Sequence, residues 1–362
     1  MTYIGLMSGT SMDAVDVAIV DIDNRVSIRS YAELPIPDDL RQHVRNINGN
    51  TCISDLAKID NELGHLFADS INQVIESNNI LRKNITAIGS HGQTVFHQPD
   101  EYKNSIQIGN PNIICAKTGI TTVADFRRMD MAFDGQGAPL APAFHRFQFQ
   151  DQNKNRAILN IGGIANITLL PNHSGKNIIG FDTGPGNGLL DDWNYQHNHT
   201  GMDKDGQWAK QGEFNQDLLS LLLSDQYFSK PFPKSTGRDY FNLEWLLKNL
   251  QHFHDISPPD VQATLLELTV KSIVNSIKEH YSECEELFLC GGGANNPAIV
   301  DKLIELLPRT KIESTTKLGI PPDTVEAITF AWLAYCRINY IKLDLSTITG
   351  SKEMSLLGAI YS

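Results

Sequence analysis

Residues Tyr3–Met7 are mostly apolar, and from Ala14 onward apolar and polar positions alternate. Val15, Val17 and Ile19 fall on one face of that stretch, and Ala14, Asp16, Ala18 and Val20 on the other. A period of two predicts strands, so the chain opens on a β-hairpin bent at SGTSM. Between Ser54 and Asn78 the apolar residues recur at helical spacing. Ile85–Gly89 reads as a short apolar strand running straight into SHGQTVFH, and residues 113–123 read as helix then strand. A long loop, from Ala124 to His145, follows. The pattern then restarts: Arg156–Pro171 is an apolar strand, a turn at Gly162-Gly163 and a second apolar strand. The same device thus begins each half, a weak sign of internal duplication without a residue-level repeat. Helical spacing returns at 214–223, 244–250 and 261–279. Next come a buried strand in EELFLC, a triple-glycine turn, a helix starting near Asn296–Pro297, and a long apolar helix prefaced by Pro321 and Pro322. Alternating strands and helices, with glycine turns at strand ends, predict an α/β architecture with ligands in a cleft between halves.

Composition narrows this picture. A chain of 362 residues accommodates two domains at ~150 residues each, and 41% hydrophobic with 20% charged residues is ordinary for a soluble protein. A net charge of −12 argues against wrapping nucleic acid or lying on anionic lipid. It leaves open a small acidic or phosphorylated ligand, which local groups would bind. The start, MTYIGLMSG, lacks the basic and apolar segments of a secretory leader, and no run approaches the ~18–20 apolar residues of a membrane span. Five scattered cysteines without CxxC spacing suit reduced thiols in the cytoplasm better than a disulfide framework. The histidine pairs His197/His199 and His252/His254 lie outside any HExxH pattern and read as surface residues.

Four glycine turns carry the candidate chemistry: residues 8–11 (SGTS), 160–166 (NIGGIAN), 181–187 (FDTGPGN) and 290–296 (CGGGANN). One such turn is an ordinary tight turn. Four in an α/β chain suggest backbone N–H groups arranged to cradle phosphate without the lysine of a Walker loop. The last also feeds a helix N-terminus, which favours negative charge. Together they resemble the actin/hexokinase/Hsp70 superfamily, in which two hairpin turns clamp the phosphates from opposite lobes and a third lies near the adenosine. Asp182 ends an apolar strand and begins a turn stiffened by Pro185. It fits either a general base held at a cleft edge or an Asx turn, and the residues alone leave both open. Glu326 stands three residues after Asp323 and just before an apolar helix, where a capping-box glutamate belongs. Arg127 and Arg128 follow a strand end, suited to a ligand carboxylate or to a structural salt bridge. His91 ends an apolar strand, either a ligand position or a hydrogen-bonded core histidine. KSTGRDYF (234–241) reads as an ordered surface loop without an assigned chemistry.

A narrower resemblance runs in order along the whole chain. GLMSGTSMDAVDVAIVD, SHGQTVFHQP, TTVADFRRMDMAFDGQGAPLAPAFH, NIGGIANIT, GFDTGPGNGLLDDW, KPFPKSTGRDYFN, CGGGANNPAIVDKL, GIPPDTVEAITFAWLA and TGSKEMSLLGAIY resemble the anhydro-N-acetylmuramic acid kinases. One departure is Asp134, where the family is expected to carry glycine. The resemblance implies a two-lobed actin/hexokinase-like (ribonuclease H-like) α/β fold with a central cleft. Its first lobe would span 1–130 with a tail of about 346–362, and its second 131–345. It implies an ATP-dependent kinase of cell-wall recycling. The enzyme would open the 1,6-anhydro ring of its sugar with water and phosphorylate O6, giving N-acetylmuramic acid 6-phosphate and ADP. Gly9, Thr10, Ser11, Met12, Asp13, Ala14, Val15 and Asp16, with Gly162, Gly163, Gly291, Gly292, Gly293 and Asn296, would meet ATP, and Mg²⁺ would lie near Asp13. Asp182 would be the base and Glu326 a second catalytic, sugar-contacting carboxylate. His91 and Arg127 (in preference to Arg128) would bind substrate, the arginine through the lactyl carboxylate. The family further suggests a homodimer. The competing expectations are a plain sugar or acyl kinase without ring opening, and a nucleotide-driven switch of the same fold.

Overall fold

In the computed structural model, which describes residues 1–9, 12–172 and 177–362, the opening alternation becomes β1 (Thr2–Ser8) and β2 (Ala14–Ile22), antiparallel with Ser8 opposite Val15. β2 continues antiparallel into β3 (Val26–Pro35). Helices α1 (Asp38–Arg45) and α2 (Ile53–Ser77) bury Leu40, Val44, Leu63, Phe67 and Ile71 in a core shared with Ile4, Val15, Val17 and Ile19. β4 (Ile85–Ser90) lies parallel to β1, and β5 (Gln93–Gln98) with β6 (Asn104–Ile108) forms a separate hairpin sheet. α3 (Pro111–Thr118), capped by the Asn110 side chain on the Asn112 N–H, leads to β7 (Thr122–Ala124), parallel to β4. α4 (Arg128–Ala132) and α5 (Ala141–Phe149) occupy the stretch expected to be loop.

The device then repeats. β8 (Arg156–Ile161), β9 (Ile164–Leu170) and β10 (Ile179–Pro185) run antiparallel in turn. They are followed by α6 (Gly188–Asn198), α7 (Gln216–Leu223), α8 (Leu243–Leu250) and α9 (Pro258–His280). β11 (Glu286–Cys290) pairs parallel with β8, and after α10 (Pro297–Leu306) β12 (Lys311–Ser314) pairs parallel with β11. Leu159, Ile167, Phe181, Leu265, Leu268 and Ile273 form the centre of this core. α11 (Val325–Ile338) and β13 (Ala359–Tyr361), antiparallel to β7, complete the chain.

The first sheet has the order β13-β7-β4-β1-β2-β3 and the second β10-β9-β8-β11-β12. Setting the last-added edge strand aside and counting strands within each sheet, both read 3-2-1-4-5, with the first three antiparallel and the last two parallel to the first. That is the ribonuclease H-like order expected of actin/hexokinase-like halves. The duplication faintly visible in two glycine hairpins is therefore complete at the level of topology.

The chain divides into one unit of 1–148 with 324–362 and another of 149–323. The boundaries expected at 130 and 345 are corrected accordingly. α5 stays with the first unit because the Gln148 amide both accepts from the Val26 N–H and donates to the Val26 carbonyl. α11 belongs there because two glycines let it sit directly on β1 and β4. A Cβ on Gly5 would fall 1.8 Å from the Ala327 carbonyl oxygen, and one on Gly89 2.0 Å from that of Phe330. Among the described residues, no helix is long and apolar enough to cross a membrane.

Candidate active site

Asp182 sits where β10 leaves its ladder. It stands opposite Asn166, but the next pair is Gly184 with Ala165, so Thr183 is an extra residue and the strand bulges. Bulges re-aim side chains at the ends of strands. The backbone N–H of Asp182 donates to the Lys234 carbonyl at 3.2 Å, and its carbonyl accepts from the Tyr227 hydroxyl at 2.7 Å. Its carboxylate Oδ2 accepts the Thr236 N–H at 2.9 Å. This bond reaches 54 positions along the chain, so the side chain does more than close its own turn.

Three of the four glycine turns meet in the second unit. The N–H groups of Gly186 and Gly188 donate to the Gly163 carbonyl, both at 3.0 Å, and that of Asn187 to the Gly162 carbonyl at 2.8 Å. The triple-glycine turn closes on the same place: a Cβ on Gly291 (φ +76°) would lie 2.2 Å from Asn160 Oδ1, and one on Gly293 2.3 Å from Ile161 Cγ2. Gly291 and Gly293 are thus demanded by packing. Gly292 is the open member, with nothing nearer its Cβ position than Asn187 Nδ2 at 3.9 Å. Asn296 caps α10, its side chain accepting the Ala298 N–H at 3.0 Å.

In the first unit, Thr10 and Ser11 lie outside the described residues. Met12 has φ +56° and, with Val15, is buried in the core. With their side chains in the core, these two residues have their backbones to offer a nucleotide. Asp16 accepts the Tyr31 hydroxyl at 2.8 Å. Asp13 is 67% exposed and faces Arg41 at 3.2 Å. Among the described residues no three His, Cys, Asp or Glu side chains cluster as a metal cage. Mg²⁺ bound mainly through phosphate and water needs only one or two carboxylates, and exposed Asp13 is a group of that kind.

His91 and Arg127 come together. The guanidinium donates to His91 Nε2 from Nε at 3.2 Å and from Nη2 at 2.8 Å, and Nη1 donates to the Gly137 carbonyl at 2.8 Å. Burial, reinforced by the Arg127 charge, holds the imidazole well below its usual pKa. It is therefore neutral, with the proton on Nδ1 and the ring lying 4.5 Å from that of Phe330. Arg128 is more than half exposed and paired with Asp125 at 2.6 Å. Ser90, His91, Asp125 and Arg128 line a polar cavity of about 300 Å³ at the carboxyl ends of β4 and β7, where open α/β sheets hold their ligands. The buried Ser90 hydroxyl has no hydrogen-bond partner there. Glu326 lies exposed in the first turn of α11, whose N-cap is Thr324 with no side-chain cap bond. A carboxylate at this position still complements the helix dipole.

The anhydro-N-acetylmuramic acid kinase family model matches residues 1–362. The chain belongs to this family. The kinase is 48% identical to the anhydro-N-acetylmuramic acid kinase of Pasteurella multocida over 100% of its own length and 97% of that protein's. It is likewise 48% identical to that of Coxiella burnetii, over 99% and 97%. Among solved structures it is similar to the activator of 2-hydroxyisocaproyl-CoA dehydratase from Clostridium difficile with bound ADPNP, at 14% identity and a TM-score of 0.45, covering 94% and 96% of the chains.

Two features of the kinase were not legible as site residues. Asp130 is fully buried, accepting the Gly137 N–H and the Thr349 hydroxyl, each at 2.7 Å. Burial raises its pKa against these bonds and the Arg127 charge. It fixes the loop whose Gly137 carbonyl holds Arg127. In that loop Asp134 adopts φ +65°, a conformation natural to glycine and tolerated by aspartate. Lys103 and Lys352 both bind its carboxylate and hold its pKa down at about 2. Asp134, expected from the resemblance to stand where the family carries glycine, is thus tied by two ion pairs. The second feature is the segment from Phe232 to Arg238, which grips Asp182.

Proposed function

We propose that this kinase opens 1,6-anhydro-N-acetylmuramic acid with water and phosphorylates the released O6 from ATP. The observation that carries the reading is the mooring of Asp182 at a strand bulge by bonds to its N–H, carbonyl and carboxylate. A carboxylate so held can take a proton from water, as in an inverting glycosidase. In the proposed step the water oxygen bonds to C1 as its proton passes to Asp182, and the C1–O6 bond breaks with its electron pair going to O6. O6 then attacks the γ-phosphorus, and ADP leaves. Positioning and charge neutralisation dominate phosphoryl transfer, and the turns at Gly9–Asp13 and Gly162–Gly163, with Gly292 towards the adenosine, are assigned to the nucleotide. Asp13 would hold Mg²⁺, which when bound neutralises charge on the phosphates. Arg127 and His91 are assigned to the lactyl carboxylate and Glu326 to the sugar. The setting proposed is the cytoplasm, with the chain acting as a homodimer. Sugar and ATP are its partners in that setting. All five cysteines are unpaired, which accords with a reducing compartment.

Turnover in ¹⁸O-water tests the mechanism. The anhydro sugar should give a 6-phosphate carrying label at the C1 hydroxyl, stoichiometric with ADP. Phosphorylation of N-acetylmuramic acid or N-acetylglucosamine alone, with the anhydro sugar untouched, would refute it.

A further inference from the structure

Lysines are almost never buried unless partnered, yet Lys234 is 7% exposed. Its ammonium donates to the carbonyls of Phe228 at 3.2 Å and Tyr227 at 3.4 Å. It also lies over the rings of Tyr227, at 4.9 Å, and Phe181, at 5.8 Å. Carbonyl oxygens and ring faces both favour the protonated amine. They oppose the burial that lowers its pKa; of the charged groups around it, Glu279 and Asp182 raise it and Lys230 lowers it. Phe181, Tyr227 and Lys234 itself also meet Asp182. Phe181 precedes it in the chain. Tyr227 donates to its carbonyl, the Lys234 carbonyl accepts its N–H, and the Thr236 N–H holds its carboxylate. Burial and the Asp182 charge both hold the Tyr227 phenol far above its usual pKa, so this hydroxyl stays a donor. At its far end the segment is tied to α6 by an ion pair between Arg238 and Asp192.

We propose that Phe232–Arg238 is the positioning element of the base, with the Lys234 ammonium as the counter-charge against which Asp182 works. This rests on the reading of Asp182 as the base. An opposite charge near a carboxylate favours its ionised form. Lys234→Gln removes the charge but keeps an N–H donor for the Tyr227 and Phe228 carbonyls. The acid limb of its kcat/KM profile should move about one unit to higher pH, an about tenfold loss below the limb, with the KM for ATP unchanged. Lys234→Arg should keep the limb in place whatever its kcat. Thr236→Pro, which deletes the N–H on the carboxylate, should move the limb in the same direction as Lys234→Gln. An unmoved limb in folded Lys234→Gln overturns the proposal, as does an equal displacement in Lys234→Arg. Should Lys234→Gln fail to fold, the Thr236→Pro and Lys234→Arg profiles decide by the same criterion. Asp182→Asn separates the two readings. Activity in that variant defeats the base assignment itself, whereas an inactive Asp182→Asn beside an unmoved Lys234→Gln limb defeats this proposal alone.

Discussion

Placing one methyl group on Gly186 tests whether the glycine turns of the second unit are a single rigid object. The added Cβ would lie 2.3 Å from the Gly162 carbonyl oxygen and 3.1 Å from the Ala165 nitrogen, both backbone atoms that cannot rotate away. Reaching even a 3.0 Å contact requires a retreat of at least about 0.7 Å. The turn at Gly162-Gly163 is fastened by three backbone bonds of 2.8–3.0 Å from Gly186, Asn187 and Gly188, and a retreat of that size carries them to the limit of hydrogen-bond range. At ~0.5–1.5 kcal/mol net per bond, losing two costs about 1–3 kcal/mol. A shift approaching 1 Å in a group that positions a reacting phosphate costs up to ~10²-fold in rate. Gly186→Ala should therefore melt several degrees lower and lose about 10- to 100-fold in kcat/KM for ATP. Gly292→Ala is the control: its nearest neighbour is 3.9 Å away, so its melting should match the parent while its KM for ATP rises. Thermal unfolding and coupled ADP-release kinetics on the two variants read both effects. Parental melting and an intact KM for ATP in Gly186→Ala would refute the reasoning. A Gly292→Ala less stable than Gly186→Ala would do the same.

Asp182→Asn keeps a carbonyl oxygen for the Thr236 N–H, so calorimetric ATP binding should survive while kcat falls ~10²–10⁴-fold. Arg127→Met should weaken substrate binding at least about tenfold and Arg128→Met by less than about twofold, measured by titration with the anhydro sugar. The buried His145 imidazole has its pKa pushed down to about 3 by burial. A folded pKa below the unfolded value of ~6.5 means that the unfolded chain binds the proton more readily. The stability it contributes is complete above pH ~6.5 and is lost as pH falls from there towards about 3. His145→Leu should accordingly flatten the fall in melting temperature between pH 6.5 and 4.5, and a parental slope would disprove this.

What the sequence disclosed follows the range of each signal. β1, β2, β8 and β9 were legible because alternation is local, and Asp182 because a strand end beside Gly184 and Pro185 is a local pattern. β3 was not, since it is largely half-exposed, with an irregular burial pattern along its ten residues. β13 has three residues, held by pairing with β7. α11 was visible as an apolar helix, but its sheet was decided by Gly5 and Gly89, more than 230 positions away. The chemistry divides in the same way. A triple glycine looks like one ligand-binding unit, yet two of its members are glycine because Asn160 and Ile161 lie against them. Only Gly292 keeps the open space that the motif suggested. Lys234 looked like a surface lysine because charge and sequence neighbours report exposure, whereas its burial depends on Phe181 and Tyr227 folding over it. KPFPKSTGRDYF nevertheless carried a signal, two lysines (Lys230 and Lys234) among prolines and aromatics, which is a composition suited to an ordered wall. The repeated 3-2-1-4-5 order gives each unit an equivalent first hairpin. That of the second unit is clamped by its own sheet through Gly186–Gly188, while beside that of the first Asp13 is exposed and joined to Arg41. The bonds from Gly186, Asn187 and Gly188 hold the second unit's turn firmly, and a methyl group on Gly186 should be resisted there.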